Sequence, residues 1–239
     1  MDLAGKTALI TGGARRLGRS LAVHLRQADC NIVVHYNRSE SEAKSLQSEI
    51  GCRLFQADFS KISIKNLQDR LKEEVGFVDI LINNASSFVE SDWQDVNEEL
   101  WDFEVTVNLK VPFFLSQYFG RQMKAKGSGK IISMADIAAE KPYSSYIPYS
   151  IAKSGVVAFT KAMAKVLAPE VQVNAIAPGT ILFPDDMPEE QQKAILKKIP
   201  MRRTSTIQEF LRTVDFLVAD VDYITGQTIV LDGGRSLSW

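Results

Sequence analysis

The chain has 239 residues, of which 45% are apolar and 24% charged, and its 28 Lys and Arg against 29 Asp and Glu leave a net charge of −1. This balance argues against a nucleic-acid-binding protein, which needs a basic surface, and two cysteines, Cys30 and Cys52, are too few for a disulfide framework or a cysteine metal site. No apolar run approaches the roughly 18 residues of a membrane helix, and Met1–Lys6 lead straight into a strand-like run instead of a signal peptide. We therefore expect a cytoplasmic protein that uses no metal, membrane or nucleic acid.

Short apolar runs rich in β-branched residues alternate with segments of helical spacing along the chain. The predicted strands are Thr7–Ile10, Ile32–His35, Leu54–Gln56, Ile80–Asn83, Ile131–Ser133, Val171–Ile176 and Thr228–Leu231. The first helical segment places Leu17, Leu21 and Leu25 on one face, and Glu40–Ile50 is the second. Such alternation predicts a parallel sheet covered on both faces. We therefore predict one α/β domain over residues 1–239, a Rossmann-type doubly wound parallel sheet with helices on both faces.

A glycine-containing turn follows the first predicted strand. Residues 11–18 are Thr-Gly-Gly-Ala-Arg-Arg-Leu-Gly and open the first helix, which is the context that a dinucleotide-binding fingerprint requires. Gly12 would allow a tight turn and Gly18 a close backbone approach, so that the helix N-terminus could receive a pyrophosphate. Arg16 departs from the common pattern, which has a small residue there. The alternative is an ordinary strand-to-helix turn, which glycine also favours.

The end of the second strand indicates which nucleotide is bound. The stretch Val34-His35-Tyr36-Asn37-Arg38-Ser39 contains no acidic residue that could accept hydrogen bonds from a ribose 2′-hydroxyl. The Arg38 guanidinium and the Ser39 hydroxyl are suited to a 2′-phosphate instead. Alternatively, Arg38 is a solvated loop residue and Ser39 caps the next helix. The residues favour NADP over NAD.

Tyr149 and Lys153 lie four residues apart in a segment that is predicted to be helical to about Leu167. Residues at this spacing share one helix face. A nearby ammonium favours the phenolate, so we expect Lys153 to lower the pKa of Tyr149 and make the phenol a usable acid or base. A Tyr-x-x-x-Lys pair alone is common. Here it follows the glycine-containing turn of residues 11–18, called the phosphate loop below, as well as the strand end Asn83-Asn84-Ala85 and Asn108.

Together these motifs resemble the short-chain dehydrogenase/reductase family. The matching segments are Thr11–Gly18, Asn83-Asn84-Ala85, Asn108, Tyr149-x-x-x-Lys153, Pro178-Gly179 and Thr225-Gly226-Gln227 with Asp232-Gly233-Gly234. The resemblance implies that Asn108 holds a helix kink and a proton-relay water, and that Lys153 binds the nicotinamide ribose. It also implies a homotetramer, with interface candidates around Val96–Lys126 and Tyr149–Leu167.

One departure from the family concerns the substrate. Most members carry Ser thirteen positions before the Tyr, where it donates to a substrate carbonyl; here that position is Asp136. A carboxylate cannot donate unless it is protonated, so ketone reduction is poorly served, whereas a ring nitrogen could exchange a proton with it. Ser133 is expected to lie on the cofactor side and not to replace the missing serine. The alternative for Asp136 is a solvated loop acid.

Three departures coincide and resemble one branch of the family, the pteridine reductases, which reduce dihydropterins and folates with NADPH. They are Arg16, Asp136 and the stretch Asn84-Ala85-Ser86-Ser87-Phe88, and His35–Ser39 and Asp232–Leu237 are also similar to that branch. The branch implies that Phe88 and the nicotinamide sandwich the pterin ring. It places Arg16 near the cofactor phosphates and the pterin edge, while Asp136 and Tyr149 manage protons. Phe88 could alternatively be an apolar loop residue folded onto the sheet.

The resemblance assigns every candidate site residue. The catalytic candidates are Asn108, Asp136, Tyr149 and Lys153, and the substrate-binding candidates are Arg16, Phe88, Asp136 and Tyr149. The cofactor-binding candidates are Gly12, Arg16, Leu17, Gly18, His35, Tyr36, Asn37, Arg38, Ser39, Asp58, Phe59, Asn84, Ala85, Ser86, Lys153, Pro178 and Gly179, with Asp58 and Phe59 around the adenine and Pro178-Gly179 beside the nicotinamide.

The segment from 180 to 200 is the least family-like. Pro184 and Pro188 indicate a loop and Glu189–Lys198 a short helix, which together suggest a substrate lid. A basic cluster formed by Lys193, Lys197, Lys198, Arg202 and Arg203 could meet a folate glutamate or an acidic carrier protein, although a solvated helix face is the simpler interpretation. The resemblance to the pteridine reductases implies a terminal arginine that could reach into the site of a neighbouring subunit. Here the last residue is Trp239 instead, so that contact is not expected.

Three functions follow from these observations. The first is NADPH-dependent reduction of a dihydropterin or dihydrofolate ring to its tetrahydro form. The second is a carbonyl reductase of the same family, such as a 3-oxoacyl-carrier-protein reductase, which would need a hydroxyl donor where Asp136 stands. The third is a non-catalytic NADP-binding sensor, which would have no need of the Tyr149–Lys153 pair.

Overall fold

The predicted strands form one parallel sheet. The structure is a computed structural model that describes residues 1–184 and 186–237. The strands are β1 Thr7–Ile10, β2 Asn31–Tyr36, β3 Arg53–Gln56, β4 Ile80–Asn83, β5 Gly129–Met134, β6 Val171–Pro178 and β7 Thr228–Leu231. Their order across the sheet is β3-β2-β1-β4-β5-β6-β7, with every neighbouring pair parallel. The Rossmann-type fold predicted from the sequence is therefore confirmed.

Helices connect the strands. They are α1 Arg16–Gln27, α2 Glu40–Ile50, α3 Ile64–Arg70, α4 Glu98–Val105, α5 Val111–Lys126, α6 Ile147–Leu167, α7 Glu189–Lys197 and α8 Ile207–Asp215. A π-helical turn, Thr106–Lys110, joins α4 to α5. Within the described ranges, none of the helices combines the length and apolar character needed to cross a membrane.

The sheet buries apolar side chains on both faces. Successive strand residues point to opposite faces, so Leu9 of β1 packs in a core with α3, α5 and α6. Its neighbours Ala8 and Ile10 pack in a second core with α1, α2 and α8. Two covered faces explain why the strands are apolar almost throughout.

The strand order reverses beside β1, which pairs with β2 on one side and with β4 on the other. In an open parallel sheet, the loops at the carboxyl ends of the strands separate at such a point and leave a crevice for ligands. The loop after β1 carries the Gly12–Gly18 turn, and the loop after β4 carries Phe88. The topology therefore brings these two sequence motifs to one edge of the sheet.

Candidate active site

A cleft of about 1310 Å³ opens along this edge of the sheet. Every predicted cofactor-binding residue except Lys153 lines it, and so do the predicted substrate-binding residues Arg16, Phe88 and Asp136. Asn108, Tyr149 and Lys153 do not line the cleft, because they lie buried beneath its wall. The structure thus gathers the predicted residues into a surface layer and a buried layer.

The turn between β1 and α1 leaves space that only glycine permits. Gly12 has a φ of +62°, and a Cβ atom there would lie 2.9 Å from the Ala85 Cα. A Cβ atom on Gly18 would overlap the Gly12 carbonyl oxygen, and no other residue type fits at that position. Arg16 has a φ of +49°, the region that glycine prefers, which explains why a small residue is common here. This open cradle at a helix N-terminus fits a pyrophosphate group.

Asn84 holds this turn in place. Its Nδ2 donates to the carbonyl oxygens of Thr11, at 2.8 Å, and of Gly12, at 3.1 Å. In return the Thr11 hydroxyl oxygen accepts from the backbone N–H groups of Asn84 and Ala85, both at 2.9 Å. Asn84 lines the cleft, but its amide nitrogen donates its hydrogen bonds to the backbone of the turn between β1 and α1.

His35 supports the same turn from the end of β2. Its ring is buried, Nδ1 accepts from the Gly12 N–H at 3.2 Å, and Nε2 donates to the Ala57 carbonyl oxygen at 3.0 Å. The ring stacks on Phe59, with centroids 3.8 Å apart and planes at 1°. Burial lowers the pKa of His35 to about 4, so the imidazole is neutral at physiological pH, as the accepting Nδ1 requires.

The side chains beyond β2 and β3 form the far end of the cleft. Arg38 is exposed there, and Ser39 occupies the N-cap position of α2, although its hydroxyl makes no capping hydrogen bond. Asp58 follows β3 and accepts from the Ser60 hydroxyl at 2.6 Å and the Ser60 N–H at 3.0 Å. Arg38 and Ser39 are thus a cation and a hydroxyl at the position where a 2′-phosphate donor set is predicted.

Tyr149 and Asp136 form the central pair of the site. The Tyr149 hydroxyl donates to Asp136 Oδ2 at 2.9 Å, and the Ala138 N–H donates to Asp136 Oδ1 at 2.7 Å. The predicted helix carries Tyr149, whereas Asp136 lies at the end of β5, at the start of a short 3₁₀ turn. Burial raises the pKa of Asp136, which makes this carboxyl a group that can hold a proton closer to neutral pH than an exposed aspartate can.

The expectation that the pKa of Tyr149 is lowered is wrong for this structure. The Lys153 ammonium is buried and donates to the Met134 carbonyl oxygen at 2.8 Å, and its Nζ lies 5.4 Å from the centroid of the Tyr149 ring. Burial and the Asp136 carboxylate raise the pKa of Tyr149 well above its ordinary value. Burial lowers the pKa of Lys153 to about 8, although Asp136 and Glu104 oppose this shift. Tyr149 is therefore a neutral phenol, ready to donate a proton.

Asn108 lies in the π-helical turn between α4 and α5 and binds the loop after β4. Its Oδ1 accepts from the Ser86 hydroxyl at 2.6 Å and from the Ser87 N–H at 3.3 Å. Its Nδ2 donates to the Ser87 carbonyl and hydroxyl oxygens at 3.1 and 2.8 Å. The π-helical turn is the helix irregularity that the family resemblance implies at Asn108.

The expectation that Ser133 faces the cofactor is also wrong. Ser133 is buried inside the sheet, and its hydroxyl oxygen accepts from Asn83 Nδ2 at 3.2 Å. Its Cα is in register with that of Asn83 in the neighbouring strand β4, and both side chains belong to a polar cluster with Ser116. Ser133 therefore cannot replace the serine that is missing at position 136.

Aromatic rings form one wall of the cleft. Phe88 is 52% exposed and stacks on Tyr146, with ring centroids 3.8 Å apart and planes at 2°. Its edge contacts are with Tyr149, at 4.7 Å between centroids, and with Tyr143, at 6.4 Å. The Arg235 guanidinium lies 5.8 Å from the Tyr143 ring centroid and donates to the Thr180 hydroxyl at 2.7 Å. A flat ring could lie against this wall.

Arg16 joins the phosphate loop to the segment after β6. Its guanidinium donates to the Leu182 carbonyl oxygen at 3.0 Å and to that of Phe183 at 3.4 Å. Leu182, Phe183 and Met187 line the cleft, and Ile195 and Lys198 at the end of the predicted lid do so as well. In the basic cluster, Lys193 pairs with Glu189 at 2.8 Å and Arg203 with Glu209 at 2.7 Å. The position of Trp239 lies outside the described residues.

Four residues of the site escaped sequence analysis: Tyr143, Tyr146, Arg235 and Glu104. Tyr146 precedes Tyr149 by three residues, a helical spacing that could have suggested a shared face. Glu104 precedes Asn108 by four residues and could have been found in the same way. Arg235 lies in the stretch Asp232–Leu237 that resembles the pteridine reductase branch, but the resemblance gave it no role, and Tyr143 gave no signal, because only the tertiary fold brings it to the cleft.

Comparisons with known proteins agree with this architecture. A family model described as Enoyl-(Acyl carrier protein) reductase matches residues 12–236. A 3-oxoacyl-[acyl-carrier-protein] reductase of Staphylococcus epidermidis is 33% identical over 96% of this chain and 98% of its own length. A 2-dehydro-3-deoxy-D-gluconate 5-dehydrogenase of Escherichia coli is 35% identical over 98% of this chain and 96% of its own length. Among solved structures, the FolM alternative dihydrofolate reductase 1 of Brucella canis complexed with NADP superposes with a TM-score of 0.91 at 30% identity, covering 100% of this chain and 96% of that one.

Proposed function

Because the chain belongs to the short-chain dehydrogenase/reductase family, we propose that it reduces the ring of a dihydropterin or dihydrofolate with NADPH. The observation that carries the proposal is the hydrogen bond from the Tyr149 hydroxyl to Asp136, 2.9 Å long. It pairs a neutral phenol with a carboxyl of raised pKa where carbonyl reductases of this family have a hydroxyl donor. Reduction of a C=N bond in a ring needs a proton at nitrogen, and this pair can deliver one.

The residues of the cleft fit NADP. The cradle around Gly12 and Gly18 would receive the pyrophosphate, and Arg38 with Ser39 would bind the 2′-phosphate. Lys153 would hold the nicotinamide ribose, with its ammonium already fixed by the Met134 carbonyl oxygen. NADPH, when bound, supplies the hydride. The similarity to a Brucella canis enzyme complexed with NADP supports this choice of cofactor.

Protons are handled by Asp136, which lines the cleft, and by Tyr149, which lies buried beneath it. Tyr149 donates a proton to the ring nitrogen, or Asp136 donates it directly in its protonated form. A protonated Asp136 can return a proton to the Tyr149 phenolate through the hydrogen bond that joins them, and a proton from water then restores Asp136. Lys153 stays close enough to stabilise negative charge on the pair as a proton leaves. This description requires no hydroxyl donor at position 136.

The exposed part of the Phe88 ring provides the substrate platform. Tyr146 occupies one face of Phe88, so the phenyl ring is held in one orientation and contacts the substrate with its open side. The resemblance of the chain to FolM alternative dihydrofolate reductases supports a pterin-type ring at this position. The segment 180–200 would cover that ring as a lid, anchored to the phosphate loop through Arg16.

The second candidate function is 3-oxoacyl-carrier-protein reduction, which the relative from Staphylococcus epidermidis favours. Polarising a ketone needs a donor at the carbonyl oxygen, and an ionised Asp136 accepts hydrogen bonds instead of donating them. Tyr149 alone would then have to bind and protonate the ketone. The Asp136 side chain therefore favours the pterin over the 3-oxoacyl thioester.

We retain a homotetramer as part of the proposal. Apolar side chains of the two interface candidates are exposed in the single chain: Trp101 of α4 and Ile151 and Val166 of α6. Association of four chains over these helices would cover them. Light scattering of the purified protein measures the assembly directly, and a monomer would refute this part of the proposal.

The test of the substrate is a comparison of NADPH oxidation with dihydrobiopterin, dihydrofolate and an acetoacetyl thioester. Turnover of a pterin or folate without turnover of the thioester supports the proposal. Turnover of the thioester alone refutes the substrate and leaves the fold and the cofactor in place. Binding of NADPH without turnover of any of the three would favour the sensor.

A further inference from the structure

Glu104 is a buried carboxyl that the proposed chemistry does not use. It lies on α4 with none of its surface exposed. The other acidic residues of that helix, Glu98, Glu99 and Asp102, are exposed. Burial of a carboxylate costs free energy unless hydrogen-bond donors and a counter-ion surround it. The groups around Glu104 therefore indicate its role.

Donors approach Glu104 from the two elements that build the site. Oε2 accepts from Asn108 Nδ2 at 2.9 Å, and Oε1 accepts from the backbone N–H of Val89 at 3.2 Å. The Ser87 hydroxyl also hydrogen-bonds the carboxyl. Burial raises the pKa of Glu104, and the ammonium of Lys153 on α6 opposes this shift electrostatically.

These contacts fix the backbone on both sides of Phe88. Asn108 binds the peptide of Ser87, which precedes Phe88, and Glu104 binds the N–H of Val89, which follows it. Glu104 also fixes the amide of Asn108, since Nδ2 donates to both its carboxyl and its carbonyl oxygen, at 2.9 and 3.0 Å. Phe88 itself is half exposed, and its ring is contacted by the rings of Tyr146 and Tyr149.

We propose that Glu104 is a positioning residue, whose carboxylate, with Asn108, holds the Ser86–Val89 loop so that Phe88 stands over Tyr149 and can receive the substrate ring. Glu104 is also the second carboxylate beside Lys153, after Asp136. The titratable and charged groups that face these two acids are Lys153 and Tyr149 of α6, together with Tyr143 and Arg235 on the side of Asp136. The choice of a pterin as substrate in the test rests on the proposed function, but the role of Glu104 in holding the loop does not.

The variant Glu104→Gln keeps the shape of the side chain but can accept only at one atom, so the Asn108 amide or the Val89 N–H loses its acceptor. Loss of a hydrogen bond to a charged group is expected to raise the KM for dihydrobiopterin about tenfold. The Kd of NADPH should stay within about twofold, because the phosphate cradle is not attached to Glu104. The matched control is Glu99→Gln, on the exposed side of the same helix, which should leave all constants unchanged.

The variant Glu104→Asp separates the effect of the negative charge from the effect of side-chain length. It keeps the negative charge near Lys153, but a side chain shorter by one methylene cannot reach both Asn108 and Val89. We expect it to raise KM while leaving the pH profile of kcat/KM unchanged, whereas Glu104→Gln should also move the basic limb of the profile to lower pH. If Glu104→Gln does not fold, Glu104→Asp still reports on the loop.

A second readout is independent of the substrate: hydrogen exchange at the Val89 amide. Exchange should be slow in the natural chain and faster in both Glu104 variants, and unchanged in Glu99→Gln. If the KM, the pH profile and the Val89 exchange rate of the Glu104 variants equal those of the natural chain, the proposed role of Glu104 is refuted. If the natural chain reduces only the thioester, the proposed substrate fails, and the same variants are then measured with the thioester while Val89 exchange decides the role of Glu104.

Discussion

Replacement of Asp136 by Asn tests the central feature of the site, the pairing of a carboxyl with the Tyr149 phenol. Asn has the same shape, and its Oδ1 can still accept the 2.7 Å hydrogen bond from the Ala138 N–H, so the turn after β5 should persist. What the variant loses is a group that can hold and release a proton. The expected result is therefore a loss of catalysis without a loss of folding.

The magnitude follows from the role assigned to the pair. A positioned acid or base contributes roughly 10²- to 10⁴-fold to a rate, and Tyr149 remains as a donor in the variant. We therefore expect kcat for dihydrobiopterin to fall about 100-fold, which corresponds to about 2.7 kcal/mol of transition-state stabilisation. The Kd of NADPH should change by less than about threefold, because Asp136 is not part of the phosphate cradle.

The same variant makes an electrostatic prediction. The Asp136 carboxylate raises the pKa of both Tyr149 and Lys153, so removal of its charge should lower both values. The basic limb of the kcat/KM profile would then move to lower pH, because Lys153 has a pKa of about 8 in the natural chain.

The assay is stopped-flow and steady-state NADPH oxidation over a range of pH, with Glu140→Gln as the control. Glu140 is an exposed acid at the end of the same short turn and should have no effect. A kcat within about threefold of the natural value for Asp136→Asn would refute the proton-handling role. Retained pterin reduction by Asp136→Ser, together with no gain on the thioester, would refute the argument for the substrate class.

Three further predictions follow. Tyr149→Phe should abolish turnover and leave the Kd of NADPH, measured by fluorescence titration, nearly unchanged; turnover in this variant would refute the donor role of the phenol. Arg38→Ala should raise the Kd of NADPH about tenfold, as for a lost charged hydrogen bond, and leave that of NADH unchanged; equal effects on both cofactors would place the 2′-phosphate elsewhere. His35 has a pKa lowered by burial to about 4 from 6.5, so the unfolded chain binds its proton first as the pH falls. The stability that neutral His35 provides is present above pH 6.5 and is lost between pH 6.5 and 4, by about 3 kcal/mol. Denaturant unfolding at several pH values, with His35→Asn as the reference, measures this difference, and parallel curves for the two proteins would contradict it.

Much of the fold could be predicted because it depends on local patterns. Strands β1, β4 and β7 have the predicted bounds, since Thr7–Ile10, Ile80–Asn83 and Thr228–Leu231 are short apolar runs with polar or glycine-containing flanks. Strand β6 extends two residues further than predicted, to Pro178. The extension comes from pairing of Ala177 and Pro178 with β7, a contact between distant parts of the chain that no local pattern contains.

The site was predictable where residues line the cleft and unpredictable where residues contact each other beneath it. Gly12, Gly18 and Arg38 line the cleft, and they were predicted because a nucleotide-binding motif has a characteristic spacing. The pKa of Tyr149 was predicted in the wrong direction, because burial and a carboxylate thirteen residues away raise it. Glu104 resembles any acidic residue of a solvated helix until the fold encloses it.

The enclosed Glu104 gives the proton chemistry at Asp136 an electrostatic basis. If Asp136 gains and loses a proton in each catalytic cycle, it cannot serve as a constant counter-ion for the buried ammonium of Lys153. Glu104 is a second acid beside that ammonium, and although burial raises its pKa, the hydrogen bonds from Asn108 and the Val89 N–H and the charge of Lys153 oppose that shift and favour its carboxylate form. A site that had a neutral serine at position 136 would not face this alternation. Substitution of Glu104 by Gln should therefore lower the pKa of Lys153, and the shift should be larger in Asp136→Ser than in the natural chain, because Lys153 then lacks both carboxylates that raise its pKa.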